Sequence, residues 1–191
     1  MEENGNLVQF IFNQEREVVT EEDSTGLTRL IRSTELIARS SDGESARTYY
    51  HYASDEMGST THIVDENGNV QNRYEYDAWG KIEVKEEAVP NRFTYYGQQI
   101  DPITQQYYLR ARFYNPVIGR FTQEDTYRGD GLNLYAYCAN NPVYYVDPTG
   151  FYKDGLDAAT RANIRNYIDN IKKTETLDVV KQAIYDRVAH G

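Results

Sequence analysis

The chain has 191 residues, of which 39% are hydrophobic, and a formal net charge of −10 at pH 7. This charge argues against general nucleic-acid binding, because surfaces that bind the phosphate backbone are rich in Lys and Arg. The hydrophobic content is low, but there are 18 Tyr and 6 Phe. We therefore expect a mainly β protein whose core consists of aromatic rings, since Tyr and Phe favour strands.

The residues that usually build metal and cofactor sites are sparse. The single cysteine, Cys138, excludes an internal disulfide and a thiolate metal cluster. His51, His62 and His190 do not have the spacing of metal ligands, and no glycine-rich phosphate loop occurs. We predict neither a metal nor a cofactor.

The ends of the chain carry no targeting signal that the sequence can identify. No apolar run approaches the roughly 18 residues of a membrane-spanning helix, so we expect no membrane span. The N-terminal stretch MEENGNLVQ lacks the apolar core of a signal peptide. Because β-type sequence follows the first methionine directly, the chain is expected to be an excised piece of a longer protein or a truncated copy of one.

Residues 1–48 contain short alternating stretches separated by polar breaks, such as EEDSTG and SSDGES. This pattern predicts a meander of short strands. The stretches are Leu7–Phe12, Arg16–Thr20, Arg29–Arg32 and Glu35–Ala38.

The strand signal strengthens from residue 49. Thr61–Asp65 and Val70–Tyr76 are alternating runs, and Asn67-Gly68 between them predicts a hairpin, because both residues accept positive φ. Around this hairpin a unit of two tyrosines, an aspartate and a glycine occurs twice, as Tyr50–Gly58 and Tyr74–Gly80. A looser third version runs from Tyr107 to Gly119.

These repeats predict stacked antiparallel hairpins rather than a small closed barrel. A few such units leave sheet edges open. We therefore expect the chain to pair with missing upstream repeats or to form a homo-oligomer through its edges.

Residues 49–151 are expected to form one unit that ends in an aromatic block, Tyr107–Phe151. Within it, Asp125 and Asp130 are five residues apart across a short turn. Two carboxyl groups at one site can share a proton and activate water. Two acids in a loop can equally be solvated turn formers, and the spacing leaves both interpretations open.

The aromatic block ends with Asp147-Pro148-Thr149-Gly150, which predicts a turn because Pro fixes φ and Gly accepts positive φ.

Residues 152–191 differ from the preceding block in their sequence pattern. Their apolar residues recur at helical spacing, which predicts two amphipathic helices. This set is Ile164, Tyr167, Ile168 and Ile171, followed by Leu177, Val180, Ile184 and Val188.

The unit RYEYDAWG, residues 73–80, resembles the YD repeat of Rhs proteins. The run YYLRARFYNPVIGRF, with EDTYRGDGLNLYAYCANNPVYYVDPTG after it, is similar to the Rhs repeat-associated core. That core occurs in bacterial polymorphic toxins, in Tc-toxin C components and, more distantly, in teneurins. The resemblance is close over residues 45–151, looser over 6–44, and does not extend past Phe151.

The resemblance implies the end of a hollow antiparallel β shell that encloses a C-terminal toxin segment. It also implies an internal aspartic protease that cuts once, in cis, after Phe151 and before Tyr152. The motif Asp147-Pro148-x-Gly150 would then present the bond, and residues 152–191 would be the start of the variable toxin region.

The family's catalytic aspartates match Asp125 and Asp130, and Arg120 matches an arginine that would hold one carboxylate ionised. A strand residue paired with Glu124 is the other interpretation of Arg120. The family usually has Pro after the first aspartate, where this chain has Thr126, which places cleavage in question.

The implied partners are the chain's own upstream Rhs repeats, the C-terminal toxin segment and an immunity protein. The implied location is outside the producing cell, after delivery by a bacterial secretion system as part of a larger protein. The alternative functions are a shell closure that does not cleave and a teneurin-like adhesion module.

Overall fold

The computed structural model describes residues 2–3, 5–14, 16–33, 35–42, 47–125, 133–150 and 154–155. The two helices predicted within 152–191 lie outside the described residues. Among those described, no helix has the length and apolar character needed to cross a bilayer.

The described residues form strands and two short 3₁₀ helices, at Tyr95–Gly97 and Cys138–Asn140. The strands are β1 Glu2–Glu3, β2 Asn6–Leu7, β3 Gln9–Phe12, β4 Val18–Asp23, β5 Gly26–Arg32, β6 Leu36–Asp42, β7 Arg47–Ser54, β8 Thr60–Asp65, β9 Val70–Tyr76, β10 Ile82–Glu87, β11 Gln99–Ile100, β12 Tyr107–Tyr108, β13 Phe113–Asn115, β14 Arg120–Phe121, β15 Tyr145–Val146 and β16 Asp154–Gly155.

Strands β3 to β10 form one eight-stranded antiparallel sheet in which each strand pairs with its neighbour in sequence. Strands β11 to β14 form a second, four-stranded meander, and β1–β2 and β15–β16 are separate pairs. The predicted fold class, a mainly β antiparallel meander, is confirmed. The expected division at residue 48 falls inside β7, and the proposed domain boundaries remain a prediction.

The hairpin predicted around Asn67-Gly68 is present as β8 and β9. The polar break EEDSTG is shorter than predicted, because β4 extends through Asp23 and β5 begins at Gly26. Asp23 pairs with Gly26 across a two-residue turn, and its side chain accepts a 2.7 Å bond from the Thr25 amide. A carboxylate that satisfies the turn lets charged residues continue as strand.

The turns that begin at Asp55, Asp65 and Asp77 have the same hydrogen bonds. In each turn the aspartate amide donates to the carbonyl four residues later, and the glycine three residues later donates to the aspartate carbonyl. The aspartate Oδ1 also accepts bonds of 2.8 to 2.9 Å from the amides two and four residues later. The glycines have φ between 79° and 83°, which disfavours a side chain. The repeated Asp-x-x-Gly is therefore a hairpin turn.

A fourth turn of this kind begins at Asn13 and was not predicted. The Asn13 amide donates to the Glu17 carbonyl (2.9 Å), and the Arg16 amide donates to the Asn13 carbonyl (3.2 Å). Asn13 Oδ1 accepts a 2.8 Å bond from the Glu17 amide. Arg16, with φ of 61°, takes the place of the glycine. The Asn side chain supplies the same Oδ1 acceptor as Asp, so the turn forms without the Asp-x-x-Gly motif.

Two clusters of buried side chains form the core. The cluster on the eight-stranded sheet contains Val18, Leu30, Leu36, Tyr52, Ile63, Tyr74 and Phe93. The cluster of the second meander contains Tyr95, Ile100, Tyr107, Leu109, Tyr114, Phe121, Tyr137 and Cys138. Tyr76 and Ile82 pack against both clusters and connect them. The expected aromatic core is present, and Cys138 is buried within it.

The second meander docks on the turn that begins at Asp77. The Tyr107 hydroxyl donates to the Gly80 carbonyl (2.8 Å), and the Tyr114 hydroxyl donates to the Trp79 carbonyl (2.7 Å). Each ring thus buries its apolar body while its hydroxyl satisfies a backbone acceptor. The repeat turn therefore connects the two sheets.

The outer strands of the eight-stranded sheet are β3 and β10. Strand β10 carries exposed charges at Glu83, Lys85, Glu86 and Glu87, and charges on an edge oppose further pairing. Strand β3 exposes Ile11 and Phe12 instead. Oligomer formation through an edge remains a prediction, and β3 is the edge better suited to it.

Replacing Gly80 by Ala should destabilise the fold by roughly 2–4 kcal/mol. The new Cβ would lie 2.4 Å from the Tyr95 ring, at a left-handed φ of 83°. Gly58→Ala is the matched control, because Gly58 has the same φ and no atom within 4 Å of such a Cβ. Urea denaturation should show a loss of only about 1–2 kcal/mol for the control. Equal losses of stability in the two variants would contradict close packing of the Tyr95 ring on Gly80.

The buried tyrosines should make the fold sensitive to alkali. Burial raises the pKa of Tyr52 to about 12 and raises the pKa of Tyr114 and Tyr137 well above their usual value. The folded state then holds protons that the unfolded chain releases near pH 10, so stability should fall as the pH rises from about 10 towards 12. Tyrosinate absorbance should rise together with the loss of β circular dichroism. Complete titration of the tyrosines with the β signal intact would contradict this account.

Candidate functional site

The loop between β12 and β13 carries the central residue of the site, Arg112. In this loop Arg110 has φ of 63°, and the Leu109 amide donates to the Arg112 carbonyl (3.0 Å). The tight loop directs Arg112 into the protein, where the residue is only 6% exposed. An arginine so deeply buried requires anionic or carbonyl partners.

Two buried carboxylates supply the negative charge. Arg112 Nη2 lies 2.9 Å from Asp125 Oδ2 and 3.6 Å from Asp147 Oδ2. Asp125 is 8% exposed and Asp147 is 4% exposed. One guanidinium therefore joins Asp125, which follows β14 in the chain, to the Asp147 turn.

Backbone carbonyls and an aromatic ring complete the surroundings of Arg112. Its Nε donates to the Gly150 carbonyl, and its Nη1 donates to the Leu134 carbonyl (3.3 Å). Its guanidinium carbon lies 3.6 Å from the centre of the Phe121 ring, which is a cation–π contact. The planar fork of an arginine can reach all these groups at once, which a lysine cannot.

The Asp147 turn is docked closely on the same loop. Asp147 Oδ1 accepts bonds from the amides of Thr149 (3.2 Å) and Gly150 (2.7 Å). The Thr149 carbonyl accepts a 3.2 Å bond from the Ala111 amide, and Arg110 donates to the Pro148 carbonyl. A Cβ on Gly150 would lie 2.5 Å from the Leu109 carbonyl oxygen, so only glycine fits.

The structure brings together three of the predicted site residues, Asp125, Asp147 and Gly150, and Pro148 lies in the same turn. Arg120 is instead an exposed residue of β14 that pairs with Asn115 in the second sheet. Its role in the site remains a prediction, and among the described residues the arginine that contacts Asp125 is Arg112.

The other predicted site residues fall outside the described residues. These are Asp130, Phe151 and Tyr152, together with Thr126, so the pairing of Asp125 with Asp130 remains a prediction. Within the described part of the chain, no group of three or more His, Cys, Asp or Glu side chains could hold a metal ion.

Arg112 was missed by reasoning from the sequence. The signal was present, because two arginines interrupt the otherwise apolar and aromatic run YYLRARFY. A charge within a buried strand run needs a partner, and Asp125 and Asp147 were already candidates.

Replacing Arg112 by Gln should destabilise the fold by about 3–5 kcal/mol, because two buried carboxylates would lose the guanidinium that contacts both of them. Arg120→Gln is the control, since this exposed arginine should change stability by less than about 0.5 kcal/mol. Both values can be measured by urea denaturation. A loss below about 1 kcal/mol for Arg112→Gln would show that the cluster is not a main support of the fold.

Comparison with known proteins identifies the family. The family model of the teneurin YD-shell matches residues 2–143. Among curated proteins, the tRNA3(Ser)-specific nuclease WapA of Bacillus spizizenii is 40% identical over 128 residues, which is 63% of this chain and 5% of that protein. The double-stranded DNA deaminase toxin A of Burkholderia cenocepacia is 38% identical over 113 residues, or 55% of this chain and 8% of that protein.

The fold is also found among solved structures. The crystal structure of TcdB2-TccC3-Cdc42 matches 69% of this chain and 7% of that chain, with a TM-score of 0.59 and 25% identity. The chain thus spans less than a tenth of each of these relatives. It belongs to the teneurin YD-shell family, and its relatives are Rhs-type toxins in which such a segment is one part of a much longer protein.

Proposed function

We propose that this chain is the closing part of an Rhs-type toxin shell and that it cuts itself once, after Phe151. Asp125 and Asp130 would be the catalytic pair, and the cut would separate the C-terminal toxin segment from the shell. The supporting observation is that Arg112 contacts both Asp125 and the turn that precedes the proposed cleavage site.

The Asp147 turn lies directly before the proposed cleavage site in the chain. The Gly150 carbonyl is bonded to Arg112, and Phe151 is the next residue. Since consecutive Cα atoms lie about 3.8 Å apart, the Phe151–Tyr152 bond begins within roughly 4–8 Å of a residue tied to the Arg112 cluster. Arg112 contacts both Asp125 and the turn that precedes the proposed bond, and such fixed positioning would give a reaction within one chain a high effective concentration.

The proposed chemistry is that of a carboxylate pair sharing one proton. The ionised carboxylate removes a proton from water, and the water oxygen bonds to the Phe151 carbonyl carbon. The other carboxyl group protonates the Tyr152 nitrogen, and the carbon–nitrogen bond breaks. Phe151 then ends in a carboxylate, and Tyr152 begins a new chain with an amino group.

Arg112 would act as a positioning residue in this reaction, because it contacts Asp125 and the turn rather than the reacting bond. Arg120 was predicted for a related role. Its exposed position on β14 makes it the weaker candidate, and the two arginines can be tested separately.

The names of the relatives favour a shared carrier and processing role. One relative is a tRNA nuclease and another is a DNA deaminase toxin, yet both match this segment. A segment common to such different activities is better suited to enclosing and releasing a toxin than to either reaction. Residues 152–191 would then be the start of the toxin region. Delivery as part of a larger protein and neutralisation by an immunity protein complete the proposal.

A shell closure that does not cleave is the second candidate. The observation in its favour is that Asp125 already has a structural role, as the partner of buried Arg112. Thr126, in place of the family's usual proline, fits the same interpretation.

Denaturing mass spectrometry of the purified chain tests cleavage directly. We expect the wild-type chain to yield fragments 1–151 and 152–191, because the dyad and its substrate lie in one molecule. Asp125→Asn and Asp130→Asn should each remain whole, and Asp42→Asn, a change at an exposed aspartate of β6, should be cut like the wild type.

Circular dichroism of each variant separates loss of chemistry from loss of fold. A folded Asp130→Asn variant that stays whole supports the protease. A folded wild-type chain that stays whole supports the closure that does not cleave, and cleavage in both aspartate variants would contradict the proposed dyad.

A further inference from the structure

A cleft between the start of the large sheet and the second meander is separate from the ion pairs of Arg112, although Arg110 belongs to the same loop as Arg112. Its charged and aromatic lining residues include Arg16, Glu17, Arg32, Phe93, Tyr108 and Arg110. The empty space measures about 300 Å³ with its open mouth included. Because this volume includes open solvent, it is the charged side chains of the cleft, and not its size, that point to a ligand here. We call this feature the arginine cleft.

The charges of the arginine cleft do not balance among the described residues that line it. Glu17 Oε1 lies 3.3 Å from Arg110 Nη2 and 3.9 Å from Arg32 Nη1, so one carboxylate serves two guanidiniums. Glu17 Oε2 also accepts a 3.3 Å bond from Asn13 Nδ2. Arg16 adds a third positive charge. Among the described residues that line the cleft there are therefore three cations and one anion, although the formal net charge of the chain is −10.

Arg32 is a largely buried cation of the cleft, with 11% of its side chain exposed. It is held in place by a 3.0 Å bond from its Nε to the Val18 carbonyl and by the Phe93 ring, whose centre lies 5.1 Å away. Burial is the main cause that lowers the pKa of Arg32; Glu17 and Tyr52 raise this pKa, and the nearby charge of Arg110 lowers it further. A bound anion would relieve the repulsion between these arginines.

The backbone at Arg16 gives a second, independent observation. Arg16 has φ of 61° at the turn position where the other three turns have Gly58, Gly68 and Gly80. A side chain in this conformation is unfavourable, and residues held so are concentrated at functional sites. The chain keeps a strained arginine where glycine would serve the turn better, and that arginine lines the cleft.

We propose that the arginine cleft binds an oxyanion, a phosphate or a carboxylate group, between Arg16, Arg32 and Arg110. The planar guanidinium fork matches the geometry of both groups. This inference does not depend on the proposed proteolysis, because the site needs neither Asp125 nor the cleaved bond.

Arg16 is the diagnostic position. Glycine fits the φ of this turn, so Arg16→Gly should fold with an unchanged or higher melting temperature. Arg110 is less suitable for the test, because it also holds the Pro148 carbonyl. Arg47→Gln is the matched control, since it removes one charge from an exposed arginine on β7 that pairs with Asp42.

The experiment follows the melting temperature during titration with sodium phosphate or sodium acetate, against sodium chloride at equal ionic strength. A ligand that binds only the folded chain raises the melting temperature with its concentration. We expect phosphate, acetate or both to exceed chloride for the wild type and Arg47→Gln, and Arg16→Gly to need about tenfold more anion for the same shift.

Comparison of the phosphate and acetate titrations identifies the group that is bound. A larger response to phosphate assigns a phosphate site, and a larger response to acetate assigns a carboxylate site. A wild-type response no greater than that to chloride, or equal responses in the wild type and Arg16→Gly, would overturn the proposal.

Discussion

The pairing of buried Arg112 with Asp125 and Asp147 is the interaction on which the site depends. Each of the three groups would be very unfavourable in the interior alone, and together they satisfy one another with help from the Leu134 and Gly150 carbonyls. Such a buried cluster adds little net stability, but its charged groups must lie at specific positions to contact one another. It forms only when the β12–β13 loop, Asp125 and the Asp147 turn are all in place, and it thereby ties the Asp147 turn to the loop that carries Arg112.

The β hairpins of the fold are built from a repeated turn. Each Asp-x-x-Gly turn satisfies its own backbone through one carboxylate, so successive hairpins can follow one another with little loop between them. Tyrosines then connect the sheets, since a ring can be buried while its hydroxyl reaches a carbonyl of the next turn. A chain with only 39% hydrophobic residues can build two cores in this way.

Much of the fold could be predicted from the sequence, because its signals are local. Asn67-Gly68 and the alternating runs beside it predicted β8 and β9, and the motif at residues 147–150 predicted a turn. Arg112 could not be assigned in the same way, because its partners are 13 and 35 residues away and only packing brings them together. The turn at Asn13 was not predicted because Asn13 and Arg16 replace the Asp and Gly of the Asp-x-x-Gly motif, although the hydrogen bonds are the same. Asp125 was identified by resemblance, and the structure adds the arginine that holds it.

The most direct test of this account is a double-mutant cycle between Arg112 and Asp147, measured by urea denaturation of Arg112→Gln, Asp147→Asn and the double variant. If Arg112 holds the turn to the core, the two substitutions should couple by at least about 1 kcal/mol, with the double variant less destabilised than the sum of the single ones. If the effects simply add to within about 0.5 kcal/mol, the turn is held by something other than this ion pair, and the central claim fails.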